Sequence, residues 1–107
     1  MKQYVGNWVS GRMHGYGTYF YDNGEVYKGD WNNNKRSGNG RLEYPSGDYY
    51  IGEWLNDLQK GYGTLYLSNG NVFEGLYRDG VKDGPGKFYY AATKKVSYVI
   101  KRFCLNF

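Results

Sequence analysis

The chain has 107 residues, enough for one modest domain, and its 22 % charged and 40 % hydrophobic residues exclude a disordered composition. Seventeen Gly and fourteen Tyr, against few aliphatics, point to many turns and to a core made of packed rings. The single cysteine, Cys104, excludes an internal disulfide, and no apolar run approaches the roughly 18 residues that a spanning helix needs. The formal charge is +4, but all ten acids and ten of the fourteen cations precede residue 94, so the excess rests on Lys94, Lys95, Lys101 and Arg102.

The chain opens in phase with a repeat. Only Met1 to Gln3 precede Tyr4, Lys2 is not followed by the apolar stretch of a signal peptide, and Tyr4-Val5-Gly6-Asn7-Trp8 reads as a first strand. Aromatic, glycine and aromatic alternate at period two, so they share one face. The glycine has no side chain, which predicts that a ring from a neighbouring strand lies across it. Residues 9–14 read as a polar loop. Gly15-Tyr16-Gly17 then leads into a second strand, Thr18-Tyr19-Phe20-Tyr21, and Asp22-Asn23-Gly24 marks a hairpin turn.

The pattern recurs at a step of 23 residues. Tyr4, Tyr27, Tyr50 and Phe73 hold it, as do Gly6, Gly29, Gly52 and Gly75, and Trp8, Trp31, Trp54 and Tyr77. Four units follow, approximately 4–26, 27–49, 50–72 and 73–95, with repeats filling residues 1–93 and a basic-aromatic cap at 94–107. The expected fold is all-β: a single-layer, elongated antiparallel meander of hairpins, each unit stabilised by stacking on its neighbours. Val96 to Phe103 keeps the register, putting Tyr98 in the glycine slot and Ile100 in the tryptophan slot. Without that glycine the stacking stops, so the segment reads as a capping strand.

These residues resemble the MORN repeat (membrane occupation and recognition nexus). The family pattern of Tyr-x-Gly-x-Trp, a loop, His-Gly-x-Gly and a strand ending in Asp/Asn-Gly is matched by Tyr4–Trp8, His14–Gly17 and Asn23-Gly24. Ser37, Lys60 and Asp83 replace the histidine in later units, and Tyr77 replaces the fourth tryptophan. The resemblance implies a twisted half-pipe, and a role as a non-enzymatic protein-protein scaffold, commonly at cytoskeletal structures in the cytoplasm. Phospholipid binding has also been proposed for the repeat.

Catalytic, cofactor and metal sites are not expected. Gly-x-Gly lacks the helix N-terminus and Lys-Ser/Thr of a phosphate cradle. His14 has no cluster of Cys, His or carboxylate around it, and the acids are spread along strands and loops. Cys104 reads as a small semi-buried hydrophobe. A single-layer sheet has no second layer, so its aromatic face predicts a groove for a partner peptide or helix, with Tyr4, Trp8, Tyr19, Tyr21, Trp31, Tyr44, Trp54, Leu67 and Tyr90 as candidate contacts. The alternative is a peripheral membrane adaptor that meets anionic phospholipid through Lys94, Lys95, Lys101 and Arg102. Solubilising an edge is the plainest role for those cations, and nucleic acid ranks last as their partner. The open edge of the first strand predicts self-association, or pairing with further repeats of a longer protein.

Overall fold

A computed structural model describes residues 3–99. It contains β1 (Gln3–Val9), β2 (Arg12–Phe20), β3 (Val26–Asn32), β4 (Lys35–Glu43), β5 (Tyr49–Leu55), β6 (Leu58–Tyr66), β7 (Val72–Arg78), β8 (Val81–Tyr90) and β9 (Lys95–Val99). They form one open antiparallel sheet in chain order, with no helix among the described residues. The sheet extends over 47 × 27 × 21 Å. The all-β single-layer meander expected from the repeat is the observed architecture.

The segment read as a six-residue loop is a two-residue turn. β2 already starts at Arg12, and the turns are Ser10-Gly11, Asn33-Asn34, Asn56-Asp57 and Asp79-Gly80. Both residues of each turn have positive φ, 49° and 71° in Asn33-Asn34 for example. That is the type I′ geometry, whose twist matches a hairpin and which Asn, Asp and Gly tolerate best. The joints between β2 and β3, β4 and β5, and β6 and β7 run through three-residue loops. In Asp22-Asn23-Gly24, the Gly24 N–H donates to Tyr21 O (3.1 Å), the Tyr21 N–H donates to Glu25 O (2.9 Å), and Gly24 takes φ 95°.

Strand pairing brings one glycine of every strand from β1 to β8 into a single transverse row: Gly6, Gly17, Gly29, Gly40, Gly52, Gly63, Gly75 and Gly86. The first tyrosine or phenylalanine of each unit lies over this row. A Cβ on Gly17 would collide with the Tyr4 ring, and one on Gly40 with the Tyr27 ring. The neighbouring-strand ring expected over the glycine of Tyr-x-Gly-x-Trp does not lie there; it covers the second glycine of a pair, Gly17 under Tyr4 and Gly40 under Tyr27, because each ring extends from its own strand across to the facing one. The first glycine sits under the tip of its own strand's tyrosine, against the backbone of its partner. Just past the row the register shifts, as between Gly29 and Trp31. The tyrosine hydroxyls span this bulge, donating to Asn7 O (2.9 Å), Asp30 O (3.0 Å) and Glu53 O (3.5 Å).

The core follows from those contacts. Tyr27, Trp31, Leu42, Tyr50, Trp54, Phe73 and Tyr77 are buried, and Leu42 is the one aliphatic among them. Eight rings make a continuous edge-to-face ladder in the order Trp8, Tyr4, Trp31, Tyr27, Trp54, Tyr50, Tyr77, Phe73, with centroids 5.0–6.4 Å apart and interplanar angles of 78–89°. Each such pair adds roughly 0.5–1.5 kcal/mol beyond the area it buries. The indoles are also anchored: Trp31 Nε1 donates to Gly17 O (3.1 Å) and Trp54 Nε1 to Gly40 O (3.3 Å). Each bond reaches back into the preceding unit, so a repeat is completed only by its neighbour.

The final strand departs from the expected register. In the array Gly63 faces Gly75, which places residue 98 opposite Gly86. The observed partner of Gly86 is Val99, and Tyr98 faces Lys87. The cause is the last turn. Thr93 stands where the other joints have glycine, and the turn is one residue longer, closed by Lys94 N–H to Tyr90 O (2.7 Å) with Lys94 at φ 60°. A slip of one residue moves every side chain of β9 to the opposite face. Tyr98 does not occupy the glycine slot; it is 75 % exposed on the back of the sheet. Strand β9 still closes the β8 edge, while the rest of the expected capping strand, Ile100 to Phe103, and Cys104 after it lie outside the described residues.

Candidate functional site

The two faces of the sheet differ in chemistry. The back face is set by Lys28, Arg41, Glu43, Glu74 and Lys87. Glu43 pairs with Arg41 (2.8 Å) and Lys28 (3.3 Å), and Glu74 with Lys87 (3.6 Å). Burial works against ionising Glu43, but the hydrogen bonds from Arg41 and Lys28 outweigh it and hold its carboxyl below the usual carboxylate range. These cross-strand pairs satisfy one another, and at a surface each is worth less than about 1 kcal/mol.

The ring face carries the groove. At its C-terminal end an open cavity of about 590 Å³ is lined by Tyr44, Leu65, Phe73, Tyr77 and Phe88, with Gln59, Gly80, Val81 and Lys82 along its rim. That volume is typical of a small-ligand or side-chain pocket. Burial pushes the Tyr77 phenol up to about 12 and raises those of Tyr27, Tyr44 and Tyr50. These hydroxyls stay protonated at neutral pH, and those of Tyr27 and Tyr50 donate to Asp30 O and Glu53 O. Lys82 Nζ lies 4.6 Å from the centroid of Phe73.

The sequence-predicted groove residues share this face but do not share access. Trp31 and Trp54 are 4 % and 5 % exposed, so they support the sheet from within. Tyr4, Tyr19, Tyr21, Tyr44 and Leu67 are half-buried, and Trp8 and Tyr90 are exposed. Tyr19 and Tyr21 pack together (4.5 Å), Tyr19 reaches Trp31 (5.7 Å), and Tyr90 packs on Phe88 (4.8 Å). Of the nine, Tyr44 alone lines the cavity. Lys94 and Lys95 are exposed at the last turn; Lys101 and Arg102 lie outside the described residues.

Residues 13, 36, 59 and 82 were missed as groove residues. Their sequence reads as loop, and the short turns place them in β2, β4, β6 and β8, facing the rings. The signal was present in Asn33-Asn34, Asn56-Asp57 and Asp79-Gly80, which favour a two-residue turn.

No group of three or more His, Cys, Asp or Glu that could hold a metal occurs among the described residues. His14 Nδ1 accepts a long hydrogen bond from Asn33 N–H (3.4 Å), a contact to a neighbouring turn. No helix among the described residues is long and apolar enough to cross a membrane.

Comparison with known proteins adds a family. No curated protein matches the chain. The family model of the MORN repeat matches four consecutive segments, 4–26, 27–49, 50–72 and 73–92. Such repeats are non-enzymatic modules of protein and membrane interaction. With ring ladder, glycine row and four in-phase matches together, the chain belongs to the MORN repeat family.

Proposed function

We propose that this chain is a docking module that holds a peptide or helical segment of a partner protein along its ring face. The observation that carries this reading is the 590 Å³ groove, walled by rings, on a sheet that has no second layer over it among the described residues. The back face offers the weaker case, because its charges are already paired with one another. The setting proposed is the cytoplasm, at a cytoskeletal assembly.

A photo-crosslinking residue placed at Val81, on the groove rim, and separately at Lys28, on the back face, tests the reading in source cells. Crosslinks to the same protein from position 81, absent from position 28, are the expected result. Crosslinks from position 28 alone would overturn it.

A membrane-adaptor reading has one observation in its favour: Lys94 and Lys95 are both exposed beside Val96 and Tyr98, which are 49 % and 75 % exposed. Each cation near an anionic surface is worth about 1 kcal/mol. Sedimentation with phosphatidylserine vesicles, lost on neutralising Lys94 and Lys95, is what that reading requires.

A further inference from the structure

The four repeats place Met13, Arg36, Gln59 and Lys82 at equivalent points of the ring face, 23 residues apart. In the second repeat that point is filled by the chain itself. The Arg36 guanidinium lies 4.5 Å from the Trp54 ring centroid and 5.7 Å from that of Tyr27. Asp57 neutralises it, with Nε to Oδ1 at 3.3 Å and a hydrogen bond from Nη2 to the Asp57 carbonyl at 2.9 Å. One repeat on, both members of the pair change: Gln59 stands for Arg36 and Gly80 for Asp57. The third repeat therefore lacks the internal plug, and the 590 Å³ groove opens there. Its rim carries Lys82, its lining holds no carboxylate, and no acid among the described residues pairs with Lys82.

Resting on the docking role proposed above, we infer that the occupant of this groove is an acidic apolar peptide segment. One or two Leu, Phe or Trp side chains fill the space between Tyr44, Leu65, Tyr77 and Phe88, and an adjacent Asp or Glu carboxylate pairs with Lys82 Nζ. Comparing the two repeats decides the charge. A guest guanidinium would meet similar rings but no counterpart of Asp57, and Lys82 would repel it. A neutral guest would cover Lys82 without pairing it, which costs free energy that an acidic guest recovers. The rings supply affinity through buried area, and the lysine sets the sign of the partner.

The double variant Gln59→Arg/Gly80→Asp rebuilds the Arg36–Asp57 arrangement one repeat later and plugs the groove from within. Gly80 has φ 84°, a conformation that Asp57 itself adopts at 72°. A library of random dodecapeptides is selected on the unaltered chain and counter-selected on this variant. The expected groove-dependent peptides carry Asp or Glu within two residues of Leu, Phe or Trp. Lys82→Gln should weaken them about fivefold at low salt, and Lys82→Arg should restore affinity to within about twofold. The Lys82 variants leave the buried rings untouched, so they read the charge even where the double variant fails to fold. Groove-dependent peptides that are neutral or basic overturn the inference and leave the docking role standing. An absence of any groove-dependent peptide overturns both.

Discussion

Replacing Gly40 by alanine tests the physical reason for the glycine row. The new methyl would occupy the position of the Tyr27 ring, which is 0 % exposed. That ring cannot step aside cheaply. Its hydroxyl donates to Asp30 O at 3.0 Å, and it meets Trp31 and Trp54 edge-to-face at 5.1 and 5.4 Å. Losing the hydrogen bond costs about 1 kcal/mol. Weakening two ring pairs costs roughly another 1–2 kcal/mol, and strain from overpacking is of similar size. The expected loss is about 3–5 kcal/mol, read as a lower urea midpoint with an unchanged slope. Gly11→Asn is the matched control. Its φ of 76° suits asparagine and a Cβ there meets nothing within 4 Å, so a change under about 0.5 kcal/mol is expected. In a Tyr27→Ala background the Gly40→Ala cost should largely vanish, because the methyl then has room. A Gly40→Ala loss below about 1 kcal/mol, or the same loss in both backgrounds, would refute the view that the ring requires the glycine.

Three further outcomes follow from the repeat-to-repeat differences. Tyr77→Trp should raise stability by about 1 kcal/mol, because an indole there can donate to Gly63 O as Trp31 and Trp54 do to Gly17 and Gly40; a lower midpoint in urea would count against the indole bond as a repeat-linking contact. Gly80→Asn should stabilise by about 0.5–1 kcal/mol. Its side chain can accept the Gln59 N–H, as Asn34 Oδ1 accepts from Met13 (2.9 Å) and Asp57 Oδ1 from Arg36 (2.9 Å), and thermal unfolding would show the gain. Alkali should destabilise the fold. The phenols of Tyr27, Tyr50 and Tyr77 are raised by burial, so the stability linked to their protons is fully present below the ordinary value of about 10 and is lost as pH rises toward their folded values. A urea midpoint that holds steady through the titration of the phenols followed at 295 nm would contradict this.

The groove was legible as a surface and illegible as a site. Period-two alternation of Tyr4, Gly6 and Trp8 and the 23-residue step place the rings on one face, since strand parity depends on local backbone geometry alone. Which rings remain open does not follow from parity. Trp31 and Trp54 look like Trp8 in the sequence, yet they are buried because the preceding unit's tyrosine packs on one side, Tyr4 on Trp31 and Tyr27 on Trp54, and the preceding unit's glycine carbonyl takes the indole N–H. Trp8 lacks such a preceding carbonyl among the described residues and is 55 % exposed. Arg36 shows the same limit. Its role as a plug depends on Asp57, in the two-residue turn of the next unit, and on the rings of Tyr21 just past β2, Tyr27 in β3 and Trp54 in β5.

From the sequence alone came the single-layer meander, the four units and the packing of rings on glycine, though not which glycine of each pair takes the facing strand's ring, because a repeat written in local pattern needs only strand parity and turn chemistry to be read. Tertiary structure alone decided the eight-glycine row, the plugged and open halves of the groove, and the face on which Tyr98 lies. Each depends on register between strands. Register is set by whole-turn geometry, such as one added residue before Lys95, and a shift of one position reverses which side chains meet.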